Sequence, residues 1–106
     1  MNVKDLDVLI DESFKRQMRI LKTKGKDYTQ GQEDRLINFR RIADELEIPV
    51  RQVWWVYFKK HIDAILTWVK KGEVESEGLE GRFDDAHNYL YLGEALYKEY
   101  REGGLK

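Results

Sequence analysis

The sequence predicts an all-α domain: a compact bundle of about four helices joined by short loops. Apolar residues recur at steps of three and four in four separate stretches. The chain has one proline and eight glycines, most of them near the expected joints. Charged residues make up 37% of it, enough to cover the outer faces of helices. At 106 residues it suits a single core, so residues 1–106 are expected to form one domain.

The first helix is predicted from Asp5 to Lys22, because Leu6, Ile10, Phe14, Met18 and Leu21 form one stripe. Thr23 to Glu33 has two glycines and no apolar period, which predicts a loop. Asp34 is the expected N-cap of a helix from Arg35 to Leu46, with Leu36, Phe39, Ala43 and Leu46 inward. Pro49 then opens a third helix, Val50 to Lys71, since proline fits a first turn but not a helix interior. Its stretch Val53 to Phe58 is apolar all round, which suits a central helix or a subunit interface; a homo-oligomer through this helix is expected. Gly72 ends it and an acidic joint runs to Gly78. The last helix, Leu79 to Glu102, carries a seam of Leu79, Phe83, Ala86, Leu90, Gly93, Tyr97 and Tyr100, followed by a frayed tail.

Composition removes several function classes. Without cysteine there is no disulfide framework and no zinc–thiolate site, and the N-terminus lacks the basic and apolar regions of a signal peptide. The longest apolar runs fall short of the ~20 residues a membrane span needs, so a cytoplasmic protein with no membrane partner is expected. With 19 basic and 20 acidic residues there is no global field to hold a nucleic-acid backbone. No P-loop, dinucleotide fingerprint or serine elbow is present, and no haem, zinc, flavin or NAD is expected.

Two polar groups stand out. Lys60, His61 and Asp63 interrupt the apolar third helix. Lys59 and Asp63 are spaced for an exposed ion pair; alternatively, Lys60 faces a cleft as a phosphate-binding charge with Asp63 holding it or a metal. Glu77, Glu80, Asp84 and Asp85 crowd the start of the last helix. The helix dipole accounts for Glu77 and Glu80 but less well for Asp84 and Asp85, and magnesium is the other candidate. Arg82, Asp85 and Tyr89 share a face next to Asn88. His61 and His87 lie on different helices without a second histidine or cysteine nearby, so both are expected to be structural. A competing motif is helix-turn-helix: Ile42, Ala43, Leu46, Ile48 and Val53 have its spacing. Against it, Glu47 stands where glycine is expected at the turn, and Trp54, Trp55, Val56 and Phe58 occupy positions for base-reading side chains.

The order of motifs over Lys24 to Tyr100 resembles a family: Lys26-Asp27-Tyr28, Asn38-Phe39, Lys60-His61 with Asp63-Ala64, Glu80-Gly81-Arg82, Asp84-Asp85 and Asn88-Tyr89. It is similar to the small phage and prophage proteins grouped as the nucleotide modification associated domain, a family of unknown function. The resemblance implies a phage or prophage origin, a bacterial host cytoplasm, and the binding or processing of modified deoxynucleotides with magnesium. It also implies a polar cleft lined by Asp27, Tyr28, Asn38, Lys60, Asp63, Glu80, Arg82, Asp85, Asn88 and Tyr89; taken with the acidic cluster, Asp27, Tyr28, Asn38, Lys60, Arg82, Asn88 and Tyr89 are expected to meet the nucleotide, and Asp63, Glu77, Glu80, Asp84 and Asp85 the metal. The pattern is also similar to MazG-like nucleotide pyrophosphohydrolases, which use paired E-x-x-E and E-x-x-D motifs. Here Glu77 and Glu80 supply an E-x-x-E, but no glutamate has an aspartate three residues later. Binding without catalysis therefore stays open, as do a small DNA-binding regulator and a structural or host-interaction module.

Overall fold

The computed structural model describes residues 1–29, 33–72 and 78–103. They form four helices: α1 (Val3–Thr29), α2 (Ile37–Leu46), α3 (Val50–Lys71) and α4 (Leu79–Arg101). No strand occurs among the described residues, and no helix is long and apolar enough to cross a membrane. The all-α bundle is therefore as predicted. The acidic stretch 73–77, with Glu77, and the tail 104–106 lie outside the described residues.

The ends of α3 follow the sequence closely. Pro49 (φ −61°, ψ 142°) precedes its first turn, and Gly72 (φ 78°) ends it by donating its N–H to the Trp68 carbonyl at 2.7 Å. Between α2 and α3, Glu47 adopts a left-handed conformation (φ 56°), a role usually left to glycine. Asp34 does not cap a helix beginning at Arg35. It stands one turn earlier, where its Oδ1 accepts the Leu36 N–H at 2.9 Å, and α2 begins at Ile37. Its carboxylate also receives Arg40, which reaches on to Glu99 of α4 at 2.9 Å.

The loop expected from Thr23 is instead helix as far as Thr29. Thr23 Oγ1 donates back to the Arg19 carbonyl, and buried Gly25 lies under the Arg35 side chain. A Cβ at Gly25 would stand 2.5 Å from Arg35 Nη1. Arg35 Nη1 in turn donates to the Leu21 carbonyl. Tertiary packing thus uses the glycine as a close-approach point within a helix, overriding its low propensity.

The core consists of Leu36, Phe39, Ala43, Val53 and Leu96, surrounded by Ile42, Ile48, Val50, Trp54, Tyr89 and Leu92. α3 and α4 meet where Trp54 lies flat on Gly93, so closely that a Cβ there would come within 2.3 Å of Trp54 Cζ2. Trp54 Nε1 donates to the Tyr89 carbonyl at 2.7 Å and its ring stacks on Phe58.

Three expected faces need correction. Leu46 is exposed beyond the α2 core face. On α1, Leu6, Ile10 and Phe14 are exposed, and only the Met18–Leu21 part of the stripe is covered. On α4, Phe83, Leu90, Tyr97 and Tyr100 face outward, while the inward side runs through Arg82, Asp85, Ala86, Tyr89, Leu92, Gly93 and Leu96. Of the predicted seam, Ala86 and Gly93 do lie inward; polar residues head that side, so apolar periodicity finds only part of it.

Candidate functional site

The polar start of α4 meets α1 and α3 in one cluster. Helical steps place Arg82, Asp85 and Tyr89 on the face toward α3, and Asp84 and Asn88 on the neighbouring face toward α1. Gln17 of α1 connects the latter pair: its Nε2 donates to Asp84 Oδ1 at 3.1 Å, and its carbonyl accepts Asn88 Nδ2 at 3.1 Å. Arg16 grips Asp84 with Nε to Oδ2 at 2.7 Å and Nη2 to Oδ1 at 3.0 Å. Burial of Asp84 opposes ionisation, but the hydrogen bonds from Arg16 and Gln17 outweigh it and hold the carboxyl below its ordinary value.

On the α3 side, His61 is buried with its ring 5.1 Å from that of Tyr89. Its Nδ1 lies 3.4 Å from Arg82 Nη1 and 3.6 Å from Asp85 Oδ2. A guanidinium can only donate, so the Arg82 contact requires an unprotonated Nδ1, whereas the Asp85 contact is an ion pair only when the ring is protonated. Burial, then the charges of Arg82, Lys60 and Lys24, hold the His61 pKa below its ordinary value against the pull of Asp85. Lys24 of α1 completes the group, 3.3 Å from Asp85 Oδ1.

The cluster opens onto a small cavity of about 40 Å³ lined by Lys24, Gly25, Arg35, Asp85, Asn88 and Tyr89, with Leu21 and Leu92 as its apolar wall. Asn88 is buried, and its Oδ1 accepts no hydrogen bond among the described residues. Such a volume holds a small polar head, not a nucleoside.

Arg82, Asp85, Asn88 and Tyr89, all expected at the site, therefore come together. Asp84 stands beside them, but its oxygens are engaged by Arg16 and Gln17. Asp63 is elsewhere: it forms the exposed i,i+4 pair with Lys59 at 2.8 Å, the plainer of the two readings of that segment. Lys60 is exposed and enters only through its charge on His61. Glu80 and Asp27 are exposed, and Asn38 is half-buried in the first turn of α2, with no hydrogen bond among the described residues to the cluster. The Tyr28 side chain and Glu77 lie outside the described residues. No group of three or more histidines and carboxylates is placed to hold a metal ion among the described residues.

Sequence reasoning missed Arg16, Gln17, Lys24 and Arg35, and it read His61 as structural. Gln17 and Lys24 are seven residues apart on one helical face, a signal hidden by the loop predicted at Thr23. Comparison with protein-family models, curated proteins and solved structures finds no match for this chain.

Proposed function

We propose that the chain binds the phosphate of a deoxynucleotide at the α1–α3–α4 junction. The supporting observation is the charge around the cavity: Lys24 and Arg35 line it and Arg82 stands behind, against one carboxylate, that of Asp85, among the described lining residues. Lysine and arginine at the mouth of a small, partly buried pocket suit a phosphate. Magnesium would enter with the nucleotide, using Asp85 and phosphate oxygens, since this ion commonly takes only one or two protein carboxylates. The nucleotide itself, and the phage setting, rest on the family resemblance.

Calorimetric titration and thermal shift with deoxynucleoside mono-, di- and triphosphates, with and without magnesium, test this. At ~100 times its dissociation constant a ligand adds about 2.7 kcal/mol of stability. Lys24→Ala and Arg35→Ala should each abolish the shift, each measured against its own unliganded melting temperature because Arg35 also packs on Gly25; a shift that survives both variants places the ligand elsewhere.

A second reading has a specific support. α2, the turn at Glu47 and α3 have helix-turn-helix order, and Ala43 and Val53 are both buried in its core. Salt-dependent binding to duplex DNA, lost in Arg51→Ala, would favour this reading over the nucleotide.

A further inference from the structure

Between the start of α3 and the end of α4 lies a pocket of about 390 Å³. α3 contributes Val50, Arg51 and Trp54 to it, and α4 contributes Gly93, Leu96, Tyr97 and Tyr100. Its origin is local. Gly93 has no side chain, so Trp54 seats directly on α4 there and closes one end. A turn further along α4 stand Tyr97 and Tyr100, which are 60% and 57% exposed and leave the space beside short Val50 unfilled. Buried Leu96 and half-buried Val50, both part of the core packing, form the floor.

Dimensions and chemistry select the occupant. From Gly93 to Tyr100 the pocket runs roughly 10 Å along α4, at the helical rise of about 1.5 Å per residue, too short to seat a partner helix lengthwise. Its volume falls in the range of small-molecule sites, which are mostly apolar with a few polar groups that fix orientation. The walls are largely rings, those of Trp54, Tyr97 and Tyr100, and rings favour a flat aromatic body in offset or edge contact. Charge at the rim is positive. Exposed Arg51 lines the pocket, Arg101 stands 6.0 Å over the Tyr97 ring, and no carboxylate is among the described lining residues. An arginine at the mouth of a ring-walled pocket matches a carboxylate carried on a flat ring. A phosphate is better served at the α1–α3–α4 junction, where Lys24, Arg35 and Arg82 gather.

We propose that this pocket binds a small aromatic carboxylate, with its ring system between Trp54 and the two tyrosines and its carboxylate on Arg51. The nucleotide reading is independent of it, since the two sites share no described lining residue.

Nuclear magnetic resonance titration of the isotope-labelled full chain with β-naphthoate, and with the uncharged β-naphthamide, tests the site. The indole N–H of Trp54, identified by its loss in Trp54→Phe, and the amides of Gly93, Leu96 and Tyr97 should move along one saturable curve. Naphthoate should bind about threefold more tightly than the amide, the scale of one exposed charge pair. Tyr97→Ala and Tyr100→Ala, both at exposed positions, should each raise the naphthoate dissociation constant about tenfold, as loss of one aromatic contact does. Arg51→Gln should abolish the preference for the acid and leave the affinity for the amide unchanged. Shifts that do not saturate would overturn the proposal, as would saturable shifts confined to α1 or to the outer side of α3. So would equal affinity for acid and amide in the wild type, or binding indifferent to both tyrosine variants.

Discussion

Arg16 and Asp84, 68 positions apart, meet as a fork: two nitrogens of one guanidinium on two oxygens of one carboxylate, at 2.7 and 3.0 Å. The Asp84 side chain is only 6% exposed while that of Arg16 is 42% exposed. The pair is thus a buried anion held by a cation at the surface, and it clamps α1 to α4.

Removing the cation should therefore cost more than removing the charge. Arg16→Ala leaves a buried carboxylate with Gln17 alone and lowers the melting temperature. Asp84→Asn keeps the shape and is milder at neutral pH. Because the folded pKa of Asp84 is depressed, its contribution is fully present above the ordinary carboxylate range and is lost as pH falls below that range through the depressed folded value. An acid titration followed by circular dichroism should show unfolding at higher pH in Arg16→Ala than in the wild type.

Gly93 has no room for a side chain beneath Trp54. Gly93→Ala must push the indole away, breaking its hydrogen bond to the Tyr89 carbonyl and its stack on Phe58. The expected loss is about 1–3 kcal/mol in denaturant unfolding. Trp54→Leu in the same chain should recover part of it, since the double variant removes the clash; strict additivity would show that the two sites do not touch.

Glu47 has a left-handed backbone with a Cβ that disfavours it. Glu47→Gly should raise stability by about 1 kcal/mol, measured as a higher denaturant midpoint with an unchanged slope. An unchanged midpoint would mean that the Glu47 side chain offsets its own strain.

His61 gives a second pH dependence, nearer neutrality. The unfolded chain takes up a proton as pH falls below about 6.5. The folded chain resists, because burial and the surrounding cations depress the His61 pKa. Stability from this group is therefore full above that pH and declines below it. His61→Phe should flatten the slope between about pH 7 and 5. In the wild type, a bound phosphate should draw a proton onto His61, detectable as buffer-dependent heat in calorimetry.

The helices were legible because their ends carry local signals: Pro49, Gly72 and Gly78 stand where α3 and α4 begin or stop. The end of α1 was not, because Gly25 and Thr23 look like turn residues until Arg35 and Lys24 find their partners across the fold. Half of the candidate site was readable for a similar reason. Arg82, Asp85 and Tyr89 share a face by spacing alone, whereas Gln17 and His61 acquire their roles from contacts 71 and 21 positions distant. Asp63 shows the reverse case: a suggestive position that local pairing with Lys59 fully accounts for.

The uneven support of α1 sets a gradient of amide exchange along one continuous helix. Amides before Phe14 should exchange with solvent deuterium at rates set by local opening of an exposed helix, while those from Gln17 to Gly25, under α4 and Arg35, are held by tertiary contacts and open less often. A single helix thus contains both labile and protected backbone. Whatever settles on its outer half will be recorded as slowed exchange there, residue by residue.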